Sequence, residues 1–142
     1  MLINNNGITL IKSFEKLALK AYYCPAKKLT IGYGHTGPDV KENMVISERR
    51  AEEILMEDLA YFESGVFDSI KIPVSSNQFS ALVSLAYNIG LKAFRDSTLL
   101  KKLNEKDFVS VKQEFLTWIY SGSMILPGLL RRRRAERALF DL

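Results

Sequence analysis

A carboxylic acid, a thiol and a hydroxyl recur at short fixed intervals near the start of the chain: Glu15, Cys24 and Thr30, spaced E-x8-C-x5-T. A glutamic acid can hand a proton to a leaving group. A cysteine can accept a proton from water or attack an electrophile, and a threonine hydroxyl can hold water by hydrogen bonds. A free thiol titrates at roughly pH 8.5, so at neutral pH Cys24 works as a base or nucleophile only where a cation or a helix end lowers that value. Metal chemistry is not expected: a single Cys and a single His make a protein-only zinc site improbable, and no cofactor motif is present.

These residues need elements to carry them. Asn6 is a candidate cap for a helix over 7–17, with Ile8, Leu10, Ile11 and Phe14 as its apolar stripe and Glu15 in its last turn. The negative end of a helix disfavours a carboxylate, so an acid there points to exposure or to a purpose. From Ala21 to Thr36 the strand formers Tyr22, Tyr23, Leu29, Thr30, Ile31 and Tyr33 flank a turn at Pro25 to Lys28, and Gly32, Gly34 and Gly37 follow. Such a hairpin brings Cys24 and Thr30 back beside Glu15, and must pack on a helix to hold its shape.

Ser47 caps a long helix reaching Ile70, with Ala51, Ile54, Leu55, Leu59, Phe62 and Val66 at helical spacing and Pro73 beyond its end. Residues 76–89 are apolar nearly all round, which marks a buried central helix stopped by Gly90. Helices over 98–104 and 107–119, a loop from Tyr120 to Leu126 and a last helix from Pro127 to Phe140 complete the chain. The expected class is α+β, mostly α, with one small sheet near the N-terminus. One domain is expected, divided into a lobe over 1–46, a connecting helix over 47–72 and a helical lobe over 73–142.

With 142 residues, 47% hydrophobic and 25% charged, the composition is globular. No apolar run approaches the ~20 residues that span a bilayer, so no stable membrane insertion is expected. The first residues lack the layout of a signal peptide, which predicts synthesis in the cytoplasm. The net charge of +4 and a pI of about 9.2 suit a polyanionic partner without selecting one. Arg131 to Arg134 is expected to be a solvated helix face with one or two ion pairs.

Several segments taken together resemble the phage lysozymes, or endolysins: Phe14-Glu15, Ala21-Tyr22, Thr30-Ile31-Gly32-Tyr33-Gly34-His35-Thr36, Leu85-Ala86-Tyr87-Asn88-Ile89-Gly90, Phe94 to Leu99, and Gly128-Leu129 followed by the arginines and Ala135-Glu136-Arg137. They run in the family's order from about Asn6 to Phe140. The resemblance implies a two-lobed lysozyme-like fold, and hydrolysis of the β-1,4 bond between N-acetylmuramic acid and N-acetylglucosamine in peptidoglycan. It implies Glu15 as general acid, Cys24 in the place of a water-positioning carboxylate, and Thr30 as the water-holding threonine.

Thr36, Tyr87 and Ser97 match substrate-cleft positions in the same family, although each also suits packing or capping, and Ser97 could simply cap the helix that follows it. The resemblance pairs His35 with Asp58; its distance from the terminal Phe140 makes Arg132 the arginine expected to turn toward Glu15, leaving the other arginines for anionic wall polymers or membrane. It further implies a monomer that waits in the host cytoplasm for a holin, acts on the wall from the periplasm and releases phage by lysis.

Asp is the commoner residue at position 24, and Cys leaves two roles open. Cys24 either steers water, with inversion at the anomeric carbon, or attacks that carbon, with net retention; the match of the remaining residues favours water. Three rival readings stand beside hydrolysis. A lyase would need only the acid and would leave 1,6-anhydro ends. A family member could bind wall without cutting it. A nucleic-acid-binding protein could use Arg131 to Arg134, but no recognition-helix motif supports it, and nucleic acid is not the expected partner.

Overall fold

The computed structural model describes all 142 residues. In chain order the elements are α1 (Asn5–Phe14), β1 (Ala18–Tyr23), β2 (Leu29–Gly32), β3 (His35–Thr36), α2 (Glu48–Ser69), α3 (Ser76–Ile89), α4 (Leu91–Arg95), α5 (Thr98–Asn104), α6 (Phe108–Phe115), β4 (Tyr120–Ser121), β5 (Met124–Ile125) and α7 (Pro127–Phe140). The mostly helical α+β class is the one expected from sequence. No helix is long and apolar enough to cross a membrane.

The first helix starts and stops earlier than its apolar stripe suggests. Asn4, not Asn6, is the cap: its side chain accepts the Gly7 N–H at 3.1 Å while its amide donates to Ser76 and Asn77 at the start of α3. One residue thereby caps α1 and ties it to α3. Gly7 allows the two helices to touch almost backbone to backbone, since a Cβ there would stand 2.7 Å from that of Ser80. α1 packs on α3 and α7, so the first element of the chain belongs with the helical lobe rather than with a lobe spanning 1–46. The helix ends at Phe14, and Glu15 is already extended (φ −92°, ψ 103°). The acid therefore lies at the junction where the chain leaves the helical lobe for the sheet.

The three-stranded antiparallel sheet has the order β1-β2-β3 and packs on α2. Its register pairs Tyr22 with Thr30 and Tyr23 with Leu29. Ser47 caps α2 as expected, accepting the Arg50 N–H at 3.0 Å, and Ala51, Ile54, Leu55, Leu59 and Val66 are buried along one face. α3 opens on a Ser75/Gln78 capping box, and every residue from Phe79 to Ala86 is buried. The other helices of the lobe surround it, supplying Phe94, Leu99, Leu103, Val111 and Phe115 to a continuous core.

Two local expectations are corrected. α6 stops at Phe115, short of Ile119. The stretch after it is not a loop but a second sheet, the hairpin β4-β5, turned by Gly122 at φ +60°. A serine-flanked glycine between Tyr120 and Met124 is a hairpin signal in its own right.

Candidate active site

Glu15 is held from two sides. One carboxylate oxygen accepts Arg132 Nη1 at 2.7 Å, with the Glu15 side chain 22% exposed and that of Arg132 only 4%. The other lies against Gly34, where a Cβ would come within 2.7 Å of it. Gly34 also has φ +82°, so both its bare backbone and its left-handed conformation call for glycine. The expected approach of Arg132 to Glu15 is present.

Arg132 is itself anchored. Its Nε donates to Glu136 at 3.2 Å and its Nη2 to the Ser84 carbonyl at 3.2 Å, and the Ser84 hydroxyl donates to the same Glu136 carboxylate at 2.6 Å. Arg133 is wholly buried, donating to Glu136 at 2.7 Å, to the Trp118 carbonyl at 2.9 Å and to the Asn88 side-chain oxygen. The four-arginine run is thus only half a solvated face. Arg131 and Arg134 are exposed, whereas Arg133 cannot reach a wall polymer or a membrane, and Arg132 is spent inside. A guanidinium only donates, so the oxygen of Asn88 faces Arg133, and Asn88 itself lines the cleft beside Glu15. Asn88 was not among the expected site residues. Its signal was its place in the Leu85–Gly90 segment.

Cys24 opens the turn of the first hairpin. Its N–H donates to the Lys28 carbonyl at 3.0 Å and its carbonyl accepts the Lys27 N–H at 2.7 Å, with Lys27 at φ 62°. The backbone N–H of Lys28 is the main cause holding the Cys24 thiol below its ordinary value; partial burial opposes this, and the Ala26 N–H reinforces it. Backbone donors therefore do what a cation or helix end was expected to do. Thr30 is buried and donates its hydroxyl to the Lys28 carbonyl at 3.0 Å, which leaves the oxygen lone pairs free to accept.

Directly across the strand pair from Thr30, Tyr22 shares its face of the sheet. Its phenol is pushed up by partial burial, then by Glu15 and Cys24 together. Tyr22 is thus within electrostatic reach of both the acid and the thiol, a neighbour that the triplet spacing alone did not reveal.

The cleft runs to both sides of Glu15. On the sheet side a segment of about 430 Å³ is bordered by Gly34, Thr36, Tyr61, Phe62, Tyr87 and Asn88. Toward α7 a segment of about 660 Å³ shares Glu15 and Asn88 with it. Thr36 is exposed at the first of these. The Tyr87 ring lines it too, but its hydroxyl donates to the Tyr33 carbonyl at 2.6 Å, and burial first, then Asp58 and Glu15, push that phenol above its ordinary value. Ser97 is corrected: it is buried away from the cleft, accepting the Leu100 N–H at the start of α5 and donating to the Phe94 carbonyl at 2.6 Å. Capping is its role.

His35 meets its expected partner and one more. Nδ1 lies 2.7 Å from Asp58, and Nε2 lies 3.1 Å from Asp39. Burial alone would lower the imidazole, but the two carboxylates override it and hold His35 above its ordinary value. Stability from a raised His is complete below the unfolded value of roughly 6.5 and is lost as pH rises through the folded one. Asp58, raised chiefly by its own burial with His35 opposing, adds the same sign at lower pH. Asp58→Asn is expected to make the decline of Tm from weakly acidic to mildly alkaline pH shallower, as followed by circular dichroism. An unchanged slope would assign the linkage to Asp39 alone.

Residues 12–136 match the model of the phage lysozyme family. The chain belongs to this family. It is 50% identical over 143 residues to an endolysin of Bacillus phage PZA, covering 99% of this chain and 55% of that one. A crystal structure of a P22 lysozyme mutant is 41% identical with a TM-score of 0.87, covering 100% of this chain and 99% of that one. The muramidase domain of SpmX from Asticaccaulis excentricus is 36% identical with a TM-score of 0.90, covering 97% and 96% of the two chains. The chain spans about half the length of the first curated relatives it matches. The phage lysozyme match begins just before Glu15 and ends at Glu136, so it takes in the acid and the whole network that anchors Arg132.

Proposed function

We propose that this chain is a lysozyme that hydrolyses the β-1,4 bond between N-acetylmuramic acid and N-acetylglucosamine in peptidoglycan. The observation that carries this reading is the setting of Glu15: a carboxyl group fixed by Arg132 and Gly34 in the wall of a long cleft. Glu15 protonates the glycosidic oxygen as the bond to the anomeric carbon breaks. Cys24 accepts a proton from water on the opposite face of the sugar, and Thr30 accepts the second hydrogen bond that orients that water. Thr36 offers a hydroxyl to the sugars, and Tyr87 offers a ring face alongside Tyr61 and Phe62.

In the cell this activity serves lysis of the host and release of phage. A cytoplasmic lysozyme reaches the periplasm only once a holin has opened the inner membrane.

Mass analysis of digested wall tests the reaction. Hydrated reducing ends are expected; 1,6-anhydro ends would replace hydrolysis by the lyase reaction. Cys24→Asp is expected to keep wall lysis within about tenfold of the wild type, because a carboxylate can also direct water. Proton NMR of the first-formed anomer should show inversion. Net retention, with Cys24→Asp inactive, would make the thiol a nucleophile.

A further inference from the structure

The turn between β2 and β3 is held in place by helices from outside the sheet. Gly32 and Gly34 both have positive φ, at 68° and 82°, and between them stands Tyr33. Three helices grip that one residue. The Lys12 ammonium, from the last turn of α1, lies 5.5 Å from the centre of its ring. Its hydroxyl donates to Glu52 of α2 at 3.2 Å, and Glu52 pairs with Lys12 at 2.6 Å. Its carbonyl accepts the Tyr87 hydroxyl of α3 at 2.6 Å. On the other side of Gly34, His35 is fixed to Asp58 of α2. Gly34 is thus suspended between two anchored neighbours.

What rests against Gly34 is the acid. Arg132 donates to one oxygen of Glu15, and a guanidinium offers only donors, so the carboxyl proton is carried by the other oxygen. That other oxygen is the one facing Gly34, close enough that a Cβ there would stand 2.7 Å from it. The glycine backbone is therefore the stop that sets where the proton donor points. Proton delivery tolerates little error, since misplacing a reacting group by about 1 Å can cost about a hundredfold in rate.

Of the three grips on Tyr33, two act on its ring, several bonds from Gly34. The Tyr87 bond acts on the peptide unit that Tyr33 and Gly34 share. We propose that Tyr87 is a positioning residue for the proton donor: its hydroxyl pins the Tyr33–Gly34 peptide and so aims the proton-bearing oxygen of Glu15. This role is separate from any contact of the Tyr87 ring with sugar, because the hydroxyl is committed to the carbonyl. The assignment rests on the reading of Glu15 as the acid of a lysozyme.

Tyr87→Phe isolates the hydroxyl. The ring remains, with its edge contact to Phe62 at 5.3 Å and its place in the cleft wall. On peptidoglycan strands kcat is expected to fall about tenfold while KM stays within about twofold. Tm should drop by only a few degrees, the loss of one hydrogen bond. A raised KM at unchanged kcat would make Tyr87 a sugar-binding residue alone. Unchanged kcat and KM with a lowered Tm would reduce the hydroxyl to packing. Either result overturns the proposal.

A cycle with Glu15→Gln separates positioning of the acid from every other route. The Tyr87 hydroxyl should have no effect once the proton is gone, so the double variant should be no slower than Glu15→Gln alone. Losses that multiply would put Tyr87 on a separate path and overturn the proposal. Activity that survives Glu15→Gln would instead discard the acid. One measurement needs no turnover. In protein carrying glutamate isotopically labelled at Cδ, the Glu15 resonance, assigned with Glu15→Gln, is expected to move in Tyr87→Phe while that of Glu136 stays. A Glu15 resonance that stays put overturns the positioning role even in an active enzyme. One that moves in a protein that cleaves no glycan would keep the coupling of Tyr87 to Glu15 and discard the lysozyme reading.

Discussion

Glu15→Gln is expected to slow wall lysis by about 10²–10⁴-fold, the range over which a positioned proton donor contributes to catalysis. The change is nearly isosteric. A glutamine oxygen can still accept Arg132 Nη1 where the carboxylate did at 2.7 Å, so the cleft keeps its shape while losing the proton. The structural cost is a neutralised partner for a buried guanidinium, about 1–2 kcal/mol, since Arg132 retains Glu136 and the Ser84 carbonyl. For a chain of this size that lowers Tm by only a few degrees. Turbidity loss of chloroform-treated Gram-negative cells, read beside a thermal melt, separates the two effects. Activity within tenfold of the wild type would mean that another group delivers the proton.

The second large effect lies where no substrate reaches. Glu136→Ala removes the only carboxylate shared by Arg132 and Arg133, and strands the Ser84 hydroxyl as well. Glu136 and Arg133 are fully buried and Arg132 is nearly so. Breaking a buried ion pair from one side costs about 3–5 kcal/mol, because the remaining charge stays desolvated. A fall in Tm of roughly 10 °C or more is expected. Activity should fall further than the folded fraction does, since Arg132 loses the support that aims it at Glu15. A melt shifted by less than about 3 °C would show that water replaces the carboxylate and that the network is not a structural requirement.

The elements most legible in the sequence were those with local punctuation. Ser47, Gly90 and Pro127 each marked a boundary that the backbone obeys, because a cap or a missing N–H acts within one turn. The N-terminus of α1 was not legible in this way. Asn4 and Asn6 are equally good caps by type, and the choice is made by Ser76 and Ser80, more than 70 residues away, which bond Asn4 and not Asn6.

The arginine run was only half legible for the same reason. A charged stretch looks solvated unless one knows that Ser84, Asn88, the Trp118 carbonyl and Glu15 converge on it from other elements. At the site itself, the resemblance to phage lysozymes paired His35 with Asp58, and the distance of Arg132 from Phe140 turned it toward Glu15. The resemblance could not show that backbone N–H groups tune Cys24, that Tyr22 lies across the strand pair from Thr30, or that Asp39 shares the imidazole.

Glu15 sits where α1, packed on α3 and α7, gives way to a sheet that rests on α2. The acid is clamped by Arg132 to the helical body, whereas Cys24 and Thr30 travel with the sheet. Any rocking of one body against the other would pivot about this joint and change the gap between proton donor and water. A strand could enter while the jaws are apart, yet the two halves of the chemistry would meet only when they close. Access to a cross-linked mesh and alignment for cleavage would then be two readings of a single hinge coordinate.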